Sequence, residues 1–122
     1  MIRVPRNKVI YKFDKNNPPI LTIFSGEQVV FETQDCFSGQ LLTVEGAEHA
    51  KIDWAYVNPA TGPLAIQGAE PGDMIEVEIQ RIVLSDQGII ATAPGWGPLG
   101  NQVNRLFFEK VQISNNMIFF DR

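Results

Sequence analysis

The sequence predicts a mainly β fold, a two-layer β-sandwich of the jelly-roll kind with at most one short helix. Three observations support this prediction. The apolar residues fall in short runs, the 10 glycines and 8 prolines lie between those runs, and several runs alternate apolar with polar side chains, as strands with one buried face do. A length of 122 residues suits one compact unit, so a single β domain over residues 1–122 is predicted.

The predicted strands are apolar runs bounded by turn residues. The Asn-Asn-Pro-Pro sequence at 16–19 predicts a turn, and Ser-Gly-Glu at 25–27 predicts a hairpin between the strands on either side of it. An Asn-Asn turn precedes the last strand, and a short helix is predicted only around Ala47–Tyr56. The strands themselves cover residues 8–13, 20–24, 28–35, 63–67, 74–84, 88–93, 105–113 and 117–120.

The clearest of these strands is MIEVEIQRIVL at 74–84. Ile75, Val77 and Ile79 point to one face, while the polar residues between them point to the other. The alternation then shifts phase, which a β-bulge near 80–81 explains. The pattern therefore predicts a strand with one face in the core.

The charge balance excludes some classes of partner. The net charge of −4 argues against nucleic-acid binding, which needs clustered lysines and arginines. Only RVPRNK at 3–8 concentrates basic residues, and it predicts a solvated N-terminal segment. No apolar run is long enough to span a bilayer, and the first residues lack the apolar region of a signal peptide, so we expect no membrane association and a cytoplasmic protein.

The single cysteine and the single histidine limit the chemistry that this chain can carry alone. One cysteine, Cys36, excludes an internal disulfide, and a small buried hydrophobic residue is the favoured interpretation of it. A zinc site built from four Cys or His ligands, or a cupin-type site with several histidines, is excluded. His49 lies in a polar stretch without the context of a nucleophile and predicts an ordinary surface histidine.

Asp35 is the first candidate site residue. If the strand 28–35 keeps its alternation, the periodicity that places Phe31 in the core also turns Asp35 inward, just before the turn Cys-Phe-Ser-Gly. A buried, unpaired carboxylate would cost several kcal/mol. Asp35 must therefore meet a cation, a metal ion or a set of N–H donors.

The second candidate is the stretch from 57 to 79, where prolines and glycines fix an irregular loop that leads into the strand after it. Asp73 follows a Pro-Gly pair, and its carboxylate is predicted to accept backbone N–H bonds within that turn. Glu70 is interpreted as a solvated turn residue rather than a catalytic acid. Asn58 either contributes its side chain to a binding site or makes the loop rigid.

Three stretches together resemble the acetamidase/formamidase family. NPATGPLAIQGAEPGD at 58–73 is similar to that family's N-P-x-T-G-P and G-A-E-P-G-D segment, SGEQVVFETQDCFSGQ at 25–40 to its upstream strand with a D-x-x-x-G-Q ending, and GIIATAPGWGPLG at 88–100 to its Gly/Pro-rich loop. The resemblance implies hydrolysis of short linear amides, of the formamide or acetamide type, to a carboxylate and ammonia. It also implies a β-rich homo-oligomer with a divalent metal, zinc or calcium.

The resemblance implies roles for four residues. Asp35 is the expected catalytic residue and metal ligand, because a carboxylate can hold a metal ion or orient the water that attacks the amide. Asn58, Thr61 and Gly62 are the expected substrate-binding residues. The chain is expected to return from Asp35 to this loop.

The resemblance covers only the N-terminal portion of the family. Its members are longer and carry a later segment rich in Gly, Asp, His and Glu that this chain lacks. We therefore expect the chain alone to be incomplete for catalysis, its metal site to be completed by residues outside this chain, and its partners to be a missing C-terminal portion or other subunits. The alternative is a non-catalytic β-sandwich module for binding or oligomerisation.

Overall fold

The structure is a computed structural model that describes residues 1–120. Within these residues the chain forms nine short β-strands and three single-turn 3-10 helices. The 3-10 helices are Ala47–His49, Trp54–Tyr56 and Gly100–Gln102. The strands are β1 Ile2–Val4, β2 Val9–Ile10, β3 Leu21–Ile23, β4 Val29–Phe31, β5 Ala60–Thr61, β6 Leu64–Ile66, β7 Gln87–Thr92, β8 Phe107–Ser114 and β9 Met117–Ile118.

The mainly β fold class is confirmed. The strands form several small sheets, consistent with the predicted β-sandwich, and the described residues contain no α-helix. The chain divides into two compact units, one made of Met1–Ser38 with Asp53–Glu78, the other of Gly39–Ile52 with the chain from Ile79 onward. No helix of the described part is long and apolar enough to cross a membrane.

The first unit contains three two-stranded sheets. β1 pairs with β4 and β3 with β6, both in parallel, while β2 pairs with β5 in antiparallel fashion. Val4 on β1 is fully buried. The prediction that residues 3–8 form only a solvated segment is therefore wrong for β1, because Ile2 and Val4 alternate with Arg3 and pair with β4.

The second unit contains the antiparallel sheet β7-β8-β9. Val111 on β8 is buried, as are Leu41 and Ala93. β8 and β9 are joined by Asn115 and Asn116, whose φ angles are 51° and 59°. Two consecutive residues with positive φ form the type I′ turn that matches the twist of a hairpin, so the predicted Asn-Asn turn before the last strand is confirmed.

The predicted strand at 74–84 is wrong. Residues 1–120 provide no strand partner for this stretch, and each of its residues is exposed. The alternating pattern records a preference for burying one face, but a strand forms only where a second strand supplies the ladder of hydrogen bonds.

The predicted hairpin at 25–27 is also wrong. A turn is present, since the Glu27 N–H donates to the Phe24 carbonyl at 3.2 Å. The strands beside the turn do not pair with each other, because β3 pairs with β6 and β4 with β1. The predicted helix around Ala47–Tyr56 is replaced by two single 3-10 turns at its two ends.

Candidate functional site

Asp35 opens a turn instead of ending a strand. β4 stops at Phe31, which is itself exposed rather than in the core, so the prediction of a strand through residue 35 is corrected. Asp35 is half-buried. Its Oδ1 accepts a hydrogen bond from the Phe37 N–H at 2.9 Å, and its carbonyl accepts one from the Ser38 N–H at 3.0 Å. An aspartate that binds the backbone two residues on forms an Asx turn, which competes with continuation of the strand.

The Asp35 turn is tied to the loop that precedes β5. The Asn58 N–H donates to the Cys36 carbonyl at 2.7 Å, and the Ser38 hydroxyl donates to the Tyr56 carbonyl at 2.6 Å. The chain therefore returns from Asp35 to Asn58 as expected. One backbone–backbone bond and one bond from a serine hydroxyl therefore hold the two predicted segments side by side.

The three predicted substrate-binding residues have different environments. Asn58 is exposed and has a φ of 53°, a left-handed conformation that asparagine tolerates well. Gly62 is buried with a φ of 128°, and its N–H donates to the Lys8 carbonyl at 2.9 Å. Thr61 is half-buried on β5, and its hydroxyl donates to the Glu32 carbonyl at 2.8 Å. A hydroxyl that donates in this way still has lone pairs that can accept a hydrogen bond.

Sequence reasoning missed a charged group beside these segments. The Arg3 guanidinium donates to the Glu32 carboxylate at 2.8 Å, and the Arg6 N–H donates to the same carboxylate at 3.3 Å. The hydrogen bond from Arg3 and then that from the Arg6 backbone lower the pKa of Glu32 below its ordinary value of 4.5. The only sequence signal for this arrangement was the alternation of arginine with apolar residues along β1.

Cys36 follows Asp35 and is exposed, so the prediction of a small buried hydrophobic residue is wrong. Desolvation of the thiol, and then the negative charge of Asp35, raise the pKa of Cys36 above its ordinary value. The thiol therefore stays protonated at neutral pH. A nucleophilic cysteine needs the opposite shift, so Cys36 is not suited to that role.

The residues of this chain do not by themselves fit the predicted metal site. Among the described residues no group of three or more His, Cys, Asp or Glu side chains could hold a metal ion. Zinc is usually held by three or four protein ligands and calcium by six to eight oxygen atoms. Asp35 could supply one ligand, and the others would have to come from elsewhere.

The remaining candidates lie in environments that suit structural roles. His49 is exposed, as predicted for a surface histidine. The Asp73 carboxylate accepts the Glu70 N–H at 2.8 Å, which confirms its predicted turn role. Tyr56 packs edge-on against Tyr11, with ring centroids 5.3 Å apart.

One open hollow lies in the first unit. It has a volume of about 440 Å³. Of the four predicted site residues, Thr61 alone lines it, so the hollow is not the pocket that the sequence predicts around Asp35. Its lining residues are Ile10, Phe13, Asp14, Lys15, Asn17, Ala60, Thr61 and Pro63.

Comparison with known proteins supplies the context for this geometry. A family profile described as the Acetamidase/Formamidase family matches residues 5–114. The crystal structure of an acetamidase from Bacillus halodurans superposes with a TM-score of 0.89 at 41% sequence identity. That of a predicted acetamidase/formamidase from Thermoanaerobacter tengcongensis gives 0.90 at 35%. A Schizosaccharomyces pombe protein provisionally named a formamidase is 40% identical over 62 residues, half of this chain.

These relatives are longer than this chain. The two structural matches cover 98% of this chain but only 40% of each of the other chains. The match to the fission-yeast protein covers 15% of that protein. The larger part of each relative therefore has no counterpart among these 122 residues.

Proposed function

Because the chain belongs to the acetamidase/formamidase family, we propose that it is part of an amidohydrolase that cleaves short linear amides, of the formamide or acetamide type, to a carboxylate and ammonia. The observation that carries the proposal is the likeness to the Bacillus halodurans acetamidase, which extends over 98% of this chain at 41% identity. The tie between the Asp35 turn and the Asn58 loop is consistent with this activity, because it holds the segment that carries the carboxylate beside the loop that carries the proposed substrate-binding residues.

In this proposal Asp35 orients the attacking water or ligates a metal ion, and the loop at Asn58–Gly62 binds the substrate amide. The hydrogen bond from Phe37 fixes the direction of the Asp35 carboxylate, which a group in a catalytic role requires. The Asn58 side chain can pair with both the carbonyl and the NH2 of an amide, and the Thr61 hydroxyl can accept from its NH2. The buried Gly62 lets the backbone of the loop come close to the substrate.

The proposed site is completed outside this chain. Support comes from the coverage of the relatives, since this chain corresponds to 40% of the length of each bacterial neighbour. A divalent ion, zinc or calcium, would take one ligand from Asp35 and the rest from a missing C-terminal portion or from other subunits. We further propose a homo-oligomer located in the cytoplasm, where the single Cys36 would remain reduced.

Ammonia release from formamide and acetamide tests the proposal. The 122-residue chain should show no turnover by itself, with or without added zinc or calcium. A chimaera in which this chain replaces the matching part of the Bacillus halodurans acetamidase should release ammonia. A folded chimaera that is inactive towards both amides would contradict the proposed function, whereas rapid turnover by the chain alone would contradict its incompleteness.

A non-catalytic module for binding or oligomerisation is the second candidate. The apolar, exposed stretch at 74–84 favours it, because such surfaces commonly mark contacts with another protein. The chimaera separates the two candidates, since a module that has lost the chemistry would assemble but would not restore amide hydrolysis.

A further inference from the structure

The largest unexplained feature of the molecule is the stretch Met74–Leu84, called here the 74–84 segment. Each of its apolar side chains is more than half exposed, with values of 97% for Met74, 78% for Val77 and 73% for Ile79. The other four are Ile75, Ile82, Val83 and Leu84. Monomeric proteins rarely leave so many neighbouring apolar side chains in water.

The sequence of the 74–84 segment suits a paired strand. Ile75 and Val77 alternate with Glu76 and Glu78, which is the pattern of a strand with one buried face. The backbone has no proline or glycine, and none of these residues has a positive φ. The segment therefore has the composition of a strand, together with backbone N–H and C=O groups that no strand of the described part pairs.

The comparisons offer a candidate for the partner of this segment. Both bacterial neighbours contain almost all of this chain as 40% of a longer polypeptide, at TM-scores of 0.89 and 0.90. In those proteins the matched region is less than half of the chain. A strand of that remainder that pairs with the 74–84 segment would satisfy its backbone groups and cover its apolar face.

We propose that the 74–84 segment is the docking strand through which this chain binds the remainder of the acetamidase/formamidase fold. The occupant is a β-strand of that remainder with an apolar face, carried either on the same polypeptide or on a separate one. The proposal rests on the proposed function only in taking the acetamidase/formamidase fold as the complete structure. It does not depend on which amide is cleaved.

Hydrogen exchange measured by mass spectrometry tests the proposal. This chain is co-expressed with a tagged polypeptide made of the part of the Bacillus halodurans acetamidase that it does not match, and the complex is purified through the tag. Amides of 74–84 should exchange at least about 100-fold more slowly in the complex than in the isolated chain, because ladder hydrogen bonds protect them. The single-chain chimaera gives the same measurement without requiring two polypeptides to associate.

Charged substitutions provide the second measurement. The double variant Val77→Lys/Ile79→Lys should reduce the amount of complex at least tenfold and leave the melting temperature of the isolated chain unchanged, because both side chains are exposed in that chain. The matched control is Phe24→Lys. Phe24 is 65% exposed in a turn elsewhere, and its substitution should not weaken the complex.

The outcomes separate the docking proposal from the proposed function. Protection of 74–84 without amide turnover supports docking and contradicts the function, whereas turnover without protection contradicts docking alone. Protection that appears in the isolated chain and rises with its concentration would show pairing with a second copy and would overturn the proposal. Unprotected amides in both the complex and the chimaera would overturn it as well.

Discussion

Substitution of Asp35 by asparagine and by alanine separates its role in the turn from a role in chemistry. The Asp35 Oδ1 accepts one backbone hydrogen bond at 2.9 Å in a half-buried position. Asparagine keeps an oxygen at that position but carries no charge and cannot act as a base. Alanine removes the acceptor altogether. The two variants therefore affect folding and catalysis differently.

The expected change in folding stability is worked out from the hydrogen bond that the Phe37 N–H donates to Asp35 Oδ1. A net contribution of about 0.5–1.5 kcal/mol is typical, so Asp35→Ala should lower the free energy of unfolding of the isolated chain by that amount. With a urea m-value of about 1–3 kcal/mol per molar, the unfolding midpoint should fall by roughly 0.5 M. Asp35→Asn should cost less than about 0.5 kcal/mol, because the bond to the Phe37 N–H is retained.

The expected change in catalysis is larger, and here Asp35→Asn, which hardly changes stability, has a strong effect. In the chimaera with the Bacillus halodurans acetamidase, Asp35→Asn should reduce kcat for ammonia release at least about 100-fold, since general acid–base groups contribute at least that much. Wild-type kcat in a folded Asp35→Asn chimaera would refute the catalytic assignment of Asp35. An unchanged unfolding midpoint for Asp35→Ala would refute the structural reasoning.

Asp53 provides a matched control, because its Oδ1 accepts the Ala55 N–H at 3.0 Å in the same kind of turn. Asp53→Ala should destabilise the chain by a similar amount, and Asp53→Asn should be close to neutral. Neither should change kcat. Equal loss of activity in Asp35→Asn and Asp53→Asn would mean that turn geometry, and not the chemistry of Asp35, limits the rate.

Three further predictions concern stability and are measured by urea unfolding of the isolated chain. Gly62→Ala should lower the free energy of unfolding by about 1–3 kcal/mol, because a φ of 128° strains any L-residue. The control Gly26→Ala, at a φ of 82° with open space around the Cβ position, should lower it less. Equal losses of stability in the two variants would contradict this account. Leu41→Ala should cost about 2–5 kcal/mol because the side chain is fully buried, and a loss below 1 kcal/mol on that scale would show that the site collapses around the smaller residue. Glu32→Gln should destabilise the chain at neutral pH. Because Arg3 lowers the pKa of Glu32 in the folded state, the stabilisation by the Glu32 carboxylate is present above the ordinary pKa of 4.5 and is lost as the pH falls through the lowered pKa. A difference in stability between variant and wild type that persists or grows in acid would contradict this reasoning.

The parts of the fold that could be predicted are those that local chemistry decides. The β8–β9 hairpin is specified by Asn115 and Asn116, because asparagine tolerates the positive φ that the turn requires. The Asp73 turn is decided in the same way by a side chain three residues from its partner. Partner choice between distant strands carries no such local signal. The parallel pairs β1–β4 and β3–β6 could therefore not be read from the sequence.

The 74–84 segment shows the same limit of sequence-based prediction, since its local pattern is clear but its pairing partner is not. Its alternation is the strongest strand pattern in the chain, yet the described residues provide no strand to pair with it. A pattern of this kind reports that a face must be buried, and it does not say whether the covering residues belong to the same 122 residues. The failed prediction is therefore consistent with the proposed role of this segment as a docking strand.

The Asp35 turn shows why a structural role does not exclude a chemical one. Strand alternation left open whether this carboxylate meets a cation, a metal ion or N–H donors, and the structure provides an N–H donor from Phe37. A carboxylate has room for about four hydrogen bonds or ligands on its two oxygens, so the bond from Phe37 orients Asp35 without by itself excluding a chemical role. The bond from the Asn58 N–H to the Cys36 carbonyl then holds the turn that carries this carboxylate beside the Asn58 loop. Orientation is what a catalytic carboxylate requires, and in the proposed complex the remainder would meet a carboxylate whose direction is already fixed by this turn.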